Sequence, residues 1–262
     1  MSTARSRITS RDNPTLVLVR KLHAAPDAYR KLGVVWLEGD HLMRAARARG
    51  WRIDETLVAA SNEHDEPLQP LLQDPQRVRV VDDKVWSGLG SLPSKAPIAG
   101  LAAWPGAQPL EPDAATVVLD RVQDAGNLGS MLRSAAAFGV AQVVALKGCA
   151  AVWSPKVLRA GMGAHFALRL IEAADESALD ALRVPLLVTS SQAGESIVTA
   201  QLPSPCAWVF GNEGQGVATT LLRRAARQLA IPMPGGEESL NVAAAAAVCL
   251  YESARRRERD AQ

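Results

Sequence analysis

The chain has 262 residues, 48% hydrophobic and 21% charged, with a formal net charge of +2. That apolar content fills one large or two ordinary cores and excludes global disorder. The charge is unevenly spread: residues 1–52 hold eleven Lys/Arg against four Asp/Glu, a net of +7, while 53–103 are net −4 and 104–262 net −1. A basic front suits a polyanion, or is simply a solvated basic face.

Three scattered cysteines (Cys149, Cys206, Cys249), with no C-x-x-C pair or Cys/His cluster, predict neither a disulfide framework nor a metal site. The N-terminus lacks an apolar signal core, and no run approaches the roughly 18 apolar residues of a membrane span. The expectation is a cytoplasmic protein with reduced thiols and no membrane partner.

In chain order, residues up to Pro14 read as a loose arm. Strands are predicted at 34–37, 53–59, 78–81 and 98–102, with helices at 40–49 and 67–73, giving a small α/β sandwich over residues 1–103. Prolines 105, 109 and 112 mark 104–113 as an extended linker. From 114 to 262 the alternation sharpens. Strands are predicted at 116–119, 142–146, 167–171, 186–189, 207–210 and 228–231, and helices at 127–138, 155–162, 175–182, 218–226 and 240–257. This pattern implies a mostly parallel sheet with helices on both faces. Trp36 and Trp208 sit in apolar strands and read as core, whereas Trp51, beside basic residues, is the best base-stacking candidate.

Three segments carry chemistry. The first runs from Asp120 to Gly139, where a strand breaks into a polar loop and becomes helical near Gly126. Gly126 and Gly129 leave backbone bare at the helix opening, and Arg133 lies one turn beyond Gly129, together a plausible phosphate grip. Read alone, it is equally a glycine-started helix with a solvated arginine. The second, Gly211-Asn-Glu-Gly214-Gln-Gly216, follows a strand and precedes a helix. Its G-x-x-G-x-G spacing, with no acidic residue closing a later strand, is not the dinucleotide fingerprint. A glycine turn with a solvated Glu213 remains open. The third, Ile231-Pro-Met-Pro234-Gly-Gly236, can continue neither helix nor central strand, so it is a shaped loop. Beyond it, Ser239 can cap the alanine-rich helix and Asn241 falls in the first turn.

Asn127-x-Gly129-x-x-x-Arg133, AWVFGNEGQGV from Ala207 and IPMPGGEESLNV from Ile231 resemble, in order and spacing, the three motifs of the SpoU/TrmH branch of the SPOUT RNA methyltransferases. The resemblance covers roughly 114–252. It implies a C-terminal catalytic domain (114–262) tied in a deep trefoil knot that transfers a methyl group from S-adenosyl-L-methionine to a ribose 2′-hydroxyl of RNA, with rRNA ahead of tRNA as substrate. Asn127, Arg133, Glu213, Ser239 and Asn241 stand at the family's catalytic positions. Gly211, Ile231 and Leu240 stand where it binds the cofactor, and Thr189 opens a loop, TSSQAGES, at the cofactor-facing edge. Ala125 and Ser134 depart from the family's usual proline and threonine. ITSRDNP at Ile8 and VVWLEGDHL at Val34 more weakly resemble the L30e-like substrate-binding domain that often precedes this catalytic domain. The resemblance also implies a homodimer through the C-terminal domain and no metal. A protein that keeps the fold and binds RNA without turnover is the competing class, opposed by the presence of all five polar site residues.

Overall fold

The computed structural model describes residues 5–73, 77–89, 96–190, 193–236 and 239–260. These fall into two compact units, one formed by 1–106 with 153–166 and the other by 107–152 with 167–262.

The first unit begins with β1 (Ser6–Ile8), then α1 (Pro14–Ala24), α2 (Ala28–Leu32), β2 (Val34–Glu38), α3 (Asp40–Ala48) and β3 (Glu55–Ala59). A 3-10 turn at Glu66–Leu68 runs into α4 (Gln69–Leu72), followed by β4 (Arg77–Val81), α5 (Asp83–Trp86) and β5 (Ile98–Ala103). The five strands lie in the order β1-β4-β3-β5-β2, with β5 antiparallel to both its neighbours and the other pairings parallel. The arm expected to be loose is therefore a strand from Ser6: it pairs beside β4, and buried Ile8 anchors it. α1 starts where the Asn13 side chain accepts from the Thr15 amide at 3.0 Å and Pro14 supplies a first-turn residue needing no amide partner. Its Leu16, Val19 and Leu22 are buried.

The second unit runs through β6 (Thr116–Leu119), α6 (Ala125–Ala137) and β7 (Gln142–Leu146). The chain then contributes 153–166, with α7 (Pro155–Gly161), to the first unit, although its sequence position groups it with the second half. The physical reason is aromatic: Trp153 and Phe166 pack on Trp51 with ring centroids 5.4 and 5.1 Å away. Trp51 thus packs against two other rings while staying half-buried beside Arg49 and Arg52. The chain returns as β8 (Arg169–Ala174), a 3-10 helix at Glu176–Ala181, β9 (Leu186–Thr189), β10 (Ala207–Phe210), α8 (Thr219–Arg224), β11 (Arg227–Leu229) and α9 (Val242–Asp260).

The strand order is β11-β9-β10-β6-β7-β8, and every pairing is parallel. Such a sheet is buried on both faces, which is why its strands read as continuous apolar runs. On one face Val118, Val144, Val188 and Val209 pack with Leu221 of α8 and Leu179 of the 3-10 helix. On the other, the buried Trp208 indole donates to Ser253 Oγ of α9 at 2.9 Å. Between 104 and 113 there is neither helix nor strand. Its Glu111 is held by fully buried Gln142, whose amide bonds the Glu111 backbone at 2.7 and 2.9 Å and Thr116 Oγ1 at 2.8 Å.

From β6 the chain steps outward to β7 and β8, then crosses to β9 before β10 inserts between β9 and β6. The loops after β6 and β10 therefore leave adjacent strands in opposite directions. A crevice at the carboxyl end of the sheet follows from that reversal.

Candidate active site

The crevice holds a cavity of about 340 Å3 lined by residues from four loops, including Thr189, Gly211, Glu213, Ile231, Ser239, Leu240 and Asn241. Phe210, Val217 and Met233 add apolar wall. One cavity thus gathers seven of the nine residues singled out in the sequence. Ser191 and Gln192 of the TSSQAGES loop lie outside the described residues.

Asn127 joins this group through hydrogen bonds. Asn241, not Ser239, caps α9: its Oδ1 accepts from the amides of Ala243 (2.9 Å) and Ala244 (3.3 Å). A cap side chain that gives its oxygen to the helix must present its NH2 outward. That group donates to Asn127 Oδ1 at 3.0 Å, and Asn127 Nδ2 in turn donates to Glu213 Oε1 at 2.8 Å. The polarity of the row is fixed from the helix cap to the carboxylate, so neither amide can be flipped without losing a bond.

The opening of α6 differs from expectation. Asp124 caps it, accepting from the Asn127 amide at 2.7 Å. A carboxylate already occupies the helix start that the sequence offered to a phosphate, and Gly129 is buried. Arg133 does not line the cavity. It belongs to the exposed stripe of Gly126, Ser130, Arg133 and Ala137, and it takes no hydrogen bond or ion pair from the described residues. Glu213 is consequently engaged by Asn127 rather than by an arginine.

The loop after β10 is shaped by its glycines. A Cβ on Gly211 would lie 2.2 Å from the Gly216 carbonyl carbon and 2.3 Å from the Val217 nitrogen, because the loop folds back across it. Asn212 braces the fold-back, its Oδ1 accepting from the Gly214 and Gln215 amides at 2.9 and 3.0 Å. Buried Asp120 and half-buried Arg121, just beyond β6, fasten this loop from outside, and the sequence reading missed both. The available signal was a charged pair directly after the apolar run TVVL, at a strand end where ligands collect.

The three cysteines are poor nucleophiles. Burial pushes the thiols of Cys149 and Cys206 up to about 11, and that of Cys249 higher still. Among the described residues there is no group of His, Cys, Asp and Glu that could hold a metal ion, and no helix long and apolar enough to cross a membrane.

Comparison with known proteins identifies the family. The SpoU rRNA Methylase family matches residues 114–251. The chain is 32% identical to an uncharacterized tRNA/rRNA methyltransferase of Synechocystis over 95% of this chain and 93% of the relative. It is 30% identical to a 23S rRNA guanosine 2′-O-methyltransferase of Bacillus subtilis, over 94% and 98% of the two chains. Its fold superposes on the AdoMet-bound rRNA methyltransferase of Sinorhizobium meliloti with a TM-score of 0.81 at 26% identity, covering 96% and 98%. With the second and third motif loops gathered around one cavity and the family model matched over more than half of the chain, the chain belongs to the SpoU rRNA methylase family.

Proposed function

We infer that this protein methylates a ribose 2′-hydroxyl of RNA, with rRNA ahead of tRNA as substrate, using S-adenosyl-L-methionine. The observation that carries the reading is the Asn241–Asn127–Glu213 row, which ties the first motif to a cavity walled by the second and third motif loops. The cavity suits the cofactor. Its volume lies within the roughly 300–1,000 Å3 typical of small-molecule sites. Phe210, Val217 and Leu240 offer apolar surface to a purine, and Asn212, Glu213 and Asn241 offer polar groups to the charged end.

The bound cofactor supplies a methyl group on a sulfonium, a good leaving group that needs no metal. The protein must align the hydroxyl for in-line attack and ease the loss of its proton. Asn127, Ser239 and Asn241 orient the ribose, and Glu213 fixes Asn127. Arg133, exposed and without a partner among the described residues, clamps the RNA phosphate and lowers the hydroxyl pKa, the proton leaving to phosphate oxygen or water. Arg133 as general base is the costly alternative. Bringing a guanidinium down into the range of a working base would cross several pKa units, at about 1.4 kcal/mol each.

We assign residues 1–103 to RNA capture on an L30e-like domain, 104–113 to a linker and 114–262 to catalysis, with the C-terminal segment threaded as the family's trefoil knot. Val248 and Tyr251 of α9 are 41% and 55% exposed, an apolar face consistent with a homodimer through the catalytic domain. The reading places the enzyme with its RNA in the cytoplasm. Methyl transfer from labelled cofactor to unmodified rRNA and tRNA, followed by nucleoside analysis, tests the reaction. A 2′-O-methylated nucleoside from rRNA is expected; label on a base, or RNA retention without label, overturns it.

A further inference from the structure

We infer that Arg121 is a positioning residue that locks the 211–217 loop into its cofactor-binding shape; the inference rests on the function proposed above. Arg121 has φ +57°, a left-handed conformation that an L residue with a side chain adopts reluctantly. What that conformation achieves is visible in its bonds. The guanidinium grips both oxygens of Asp120 through Nε (2.8 Å) and Nη2 (2.9 Å). The same fork reaches across to Gln215 Oε1 at 2.6 Å and the Gly216 carbonyl at 3.2 Å. The Arg121 carbonyl accepts from Asn212 Nδ2 at 3.1 Å, and Asp120 Oδ2 accepts from the Ala218 amide at 2.8 Å.

Both ends of the loop are thereby tied to two consecutive residues after β6. Five of the loop's residues line the cavity, and Glu213 sits between the tied ends. Space has been left for the latch: Gly148, at φ +92°, lies under the arginine stem, where an added Cβ would be 3.1 Å from Arg121 Cγ. The adjacent Asp120 carboxylate holds the guanidinium pKa above its ordinary value, so the charge is fixed at every working pH. A bidentate pair held this way has a defined orientation that a single ammonium cannot reproduce. The arginine's bonds are spent on the protein, which separates it from Arg133, whose guanidinium is left for substrate. The order is therefore strand end, latch, loop, cavity.

Arg121→Asn and Arg121→Gly test this, because both residues tolerate the left-handed conformation and remove only the latch. Calorimetric titration with S-adenosylmethionine is expected to show at least a tenfold weaker Kd in both. Steady-state assays should show KM for the cofactor rising more than kcat falls, with KM for RNA unchanged. A merely structural role would instead lower the melting temperature and scale down active protein without splitting KM from kcat. Arg121→Lys should recover little. Cofactor affinity within twofold of wild type in the Asn and Gly variants overturns the inference. If both fail to fold, Gln215→Ala decides, since it removes only the far, exposed bond: a Kd weakened threefold or more sustains the latch and an unchanged Kd overturns it. Wild-type protein that binds no S-adenosylmethionine is a separate result, which sinks the proposed function itself.

Discussion

Arg133 is exposed and makes no bond to the described residues, so a change there leaves the fold alone. Arg133→Lys is expected to lower kcat/KM for RNA at least about tenfold, because an ammonium lacks the planar fork that holds phosphate in two places. Cofactor affinity and melting temperature should stay at wild-type values; full activity in the Lys variant would exclude a bidentate role. Asn127 makes a different kind of test. Asn127→Asp sets a second carboxylate against Glu213, whose Oε1 accepts from Asn127 Nδ2 at 2.8 Å. Two carboxylates so close cannot both stay charged, and one is driven up in pKa. Above that pKa the row is broken by repulsion; below it, the protonated acid donates as the amide did. The ratio of variant to wild-type activity should therefore rise as pH falls from 8 to 6, and a flat ratio would show that the row does not matter for turnover. The family resemblance, rather than the spacing of any one segment, picked out Asn127, Arg133, Glu213, Ser239 and Asn241. Asp120 and Arg121 were not readable there, because the partner that gives Arg121 its meaning, Gln215, is 94 residues away. Asn241 as helix cap was missed for a local reason: Ser239 and Asn241 are both good caps, and which one serves depends on where α9 is permitted to begin.

α9 is fastened through one turn near its end. Arg256 donates to the carbonyls of Ile197 (2.6 Å), Val198 (2.8 Å) and Ala200, and to Glu252 at 2.6 Å. Arg255 and Arg256 beside Glu252 hold its carboxyl down at about 2. A depressed carboxyl stabilises the fold above its unfolded pKa, and that stabilisation is lost as pH falls through the folded value. The gap in unfolding free energy between wild type and Glu252→Gln should hold steady from pH 7 to about 5 and close between about 4.5 and 2. Denaturant titrations across that range measure it; a gap undiminished at pH 2 would remove Glu252 as its source. The strands of the second sheet show what sequence pattern does well. Thr116–Leu119, Gln142–Leu146, Leu186–Thr189 and Ala207–Phe210 match their predicted limits residue for residue, being short β-branched or aromatic runs covered on both faces. β1 was invisible because Ser-Arg-Ile has no apolar pattern and exists as a strand only through β4. The helix predicted at 175–182 tightens into 3-10 form at Glu176–Ala181, a difference of hydrogen-bond register that periodicity over two turns cannot resolve.

The molecule as a whole is charged where the proposed RNA capture lies. Arg5 and Arg7 pair with Glu63, and Arg44 pairs with Asp40, whereas Arg20, Lys21, Lys31 and Arg49 are exposed and unpaired among the described residues. Deleting residues 1–103 would be a poor test of capture, since it strips Trp153 and Phe166 of Trp51. Replacing the four free cations by Gln should instead weaken RNA binding and flatten the slope of log affinity against log salt by about one to three, each phosphate contact contributing roughly 0.7 to 0.9. Cofactor affinity should not change, and an unaltered slope would mean that these side chains do not meet the RNA backbone. That such a unit would include 153–166 was hidden in the sequence, where nothing in the pattern of 155–162 says which core its aromatics join. The insertion of β10 between β9 and β6 has a consequence in time. β6 and β10 pair although they are about ninety residues apart in the chain, a contact whose loop-closure entropy delays its formation. The cavity has no wall on that side until β10 is seated, since Phe210 and the 211–217 loop are part of it. Refolding from denaturant should therefore regain far-ultraviolet helical signal before it regains cofactor binding, the two progress curves separating cleanly. A newly made chain would then be kept from catalysis until its slowest pairing is complete, so that no half-built enzyme draws on the cell's methyl donor.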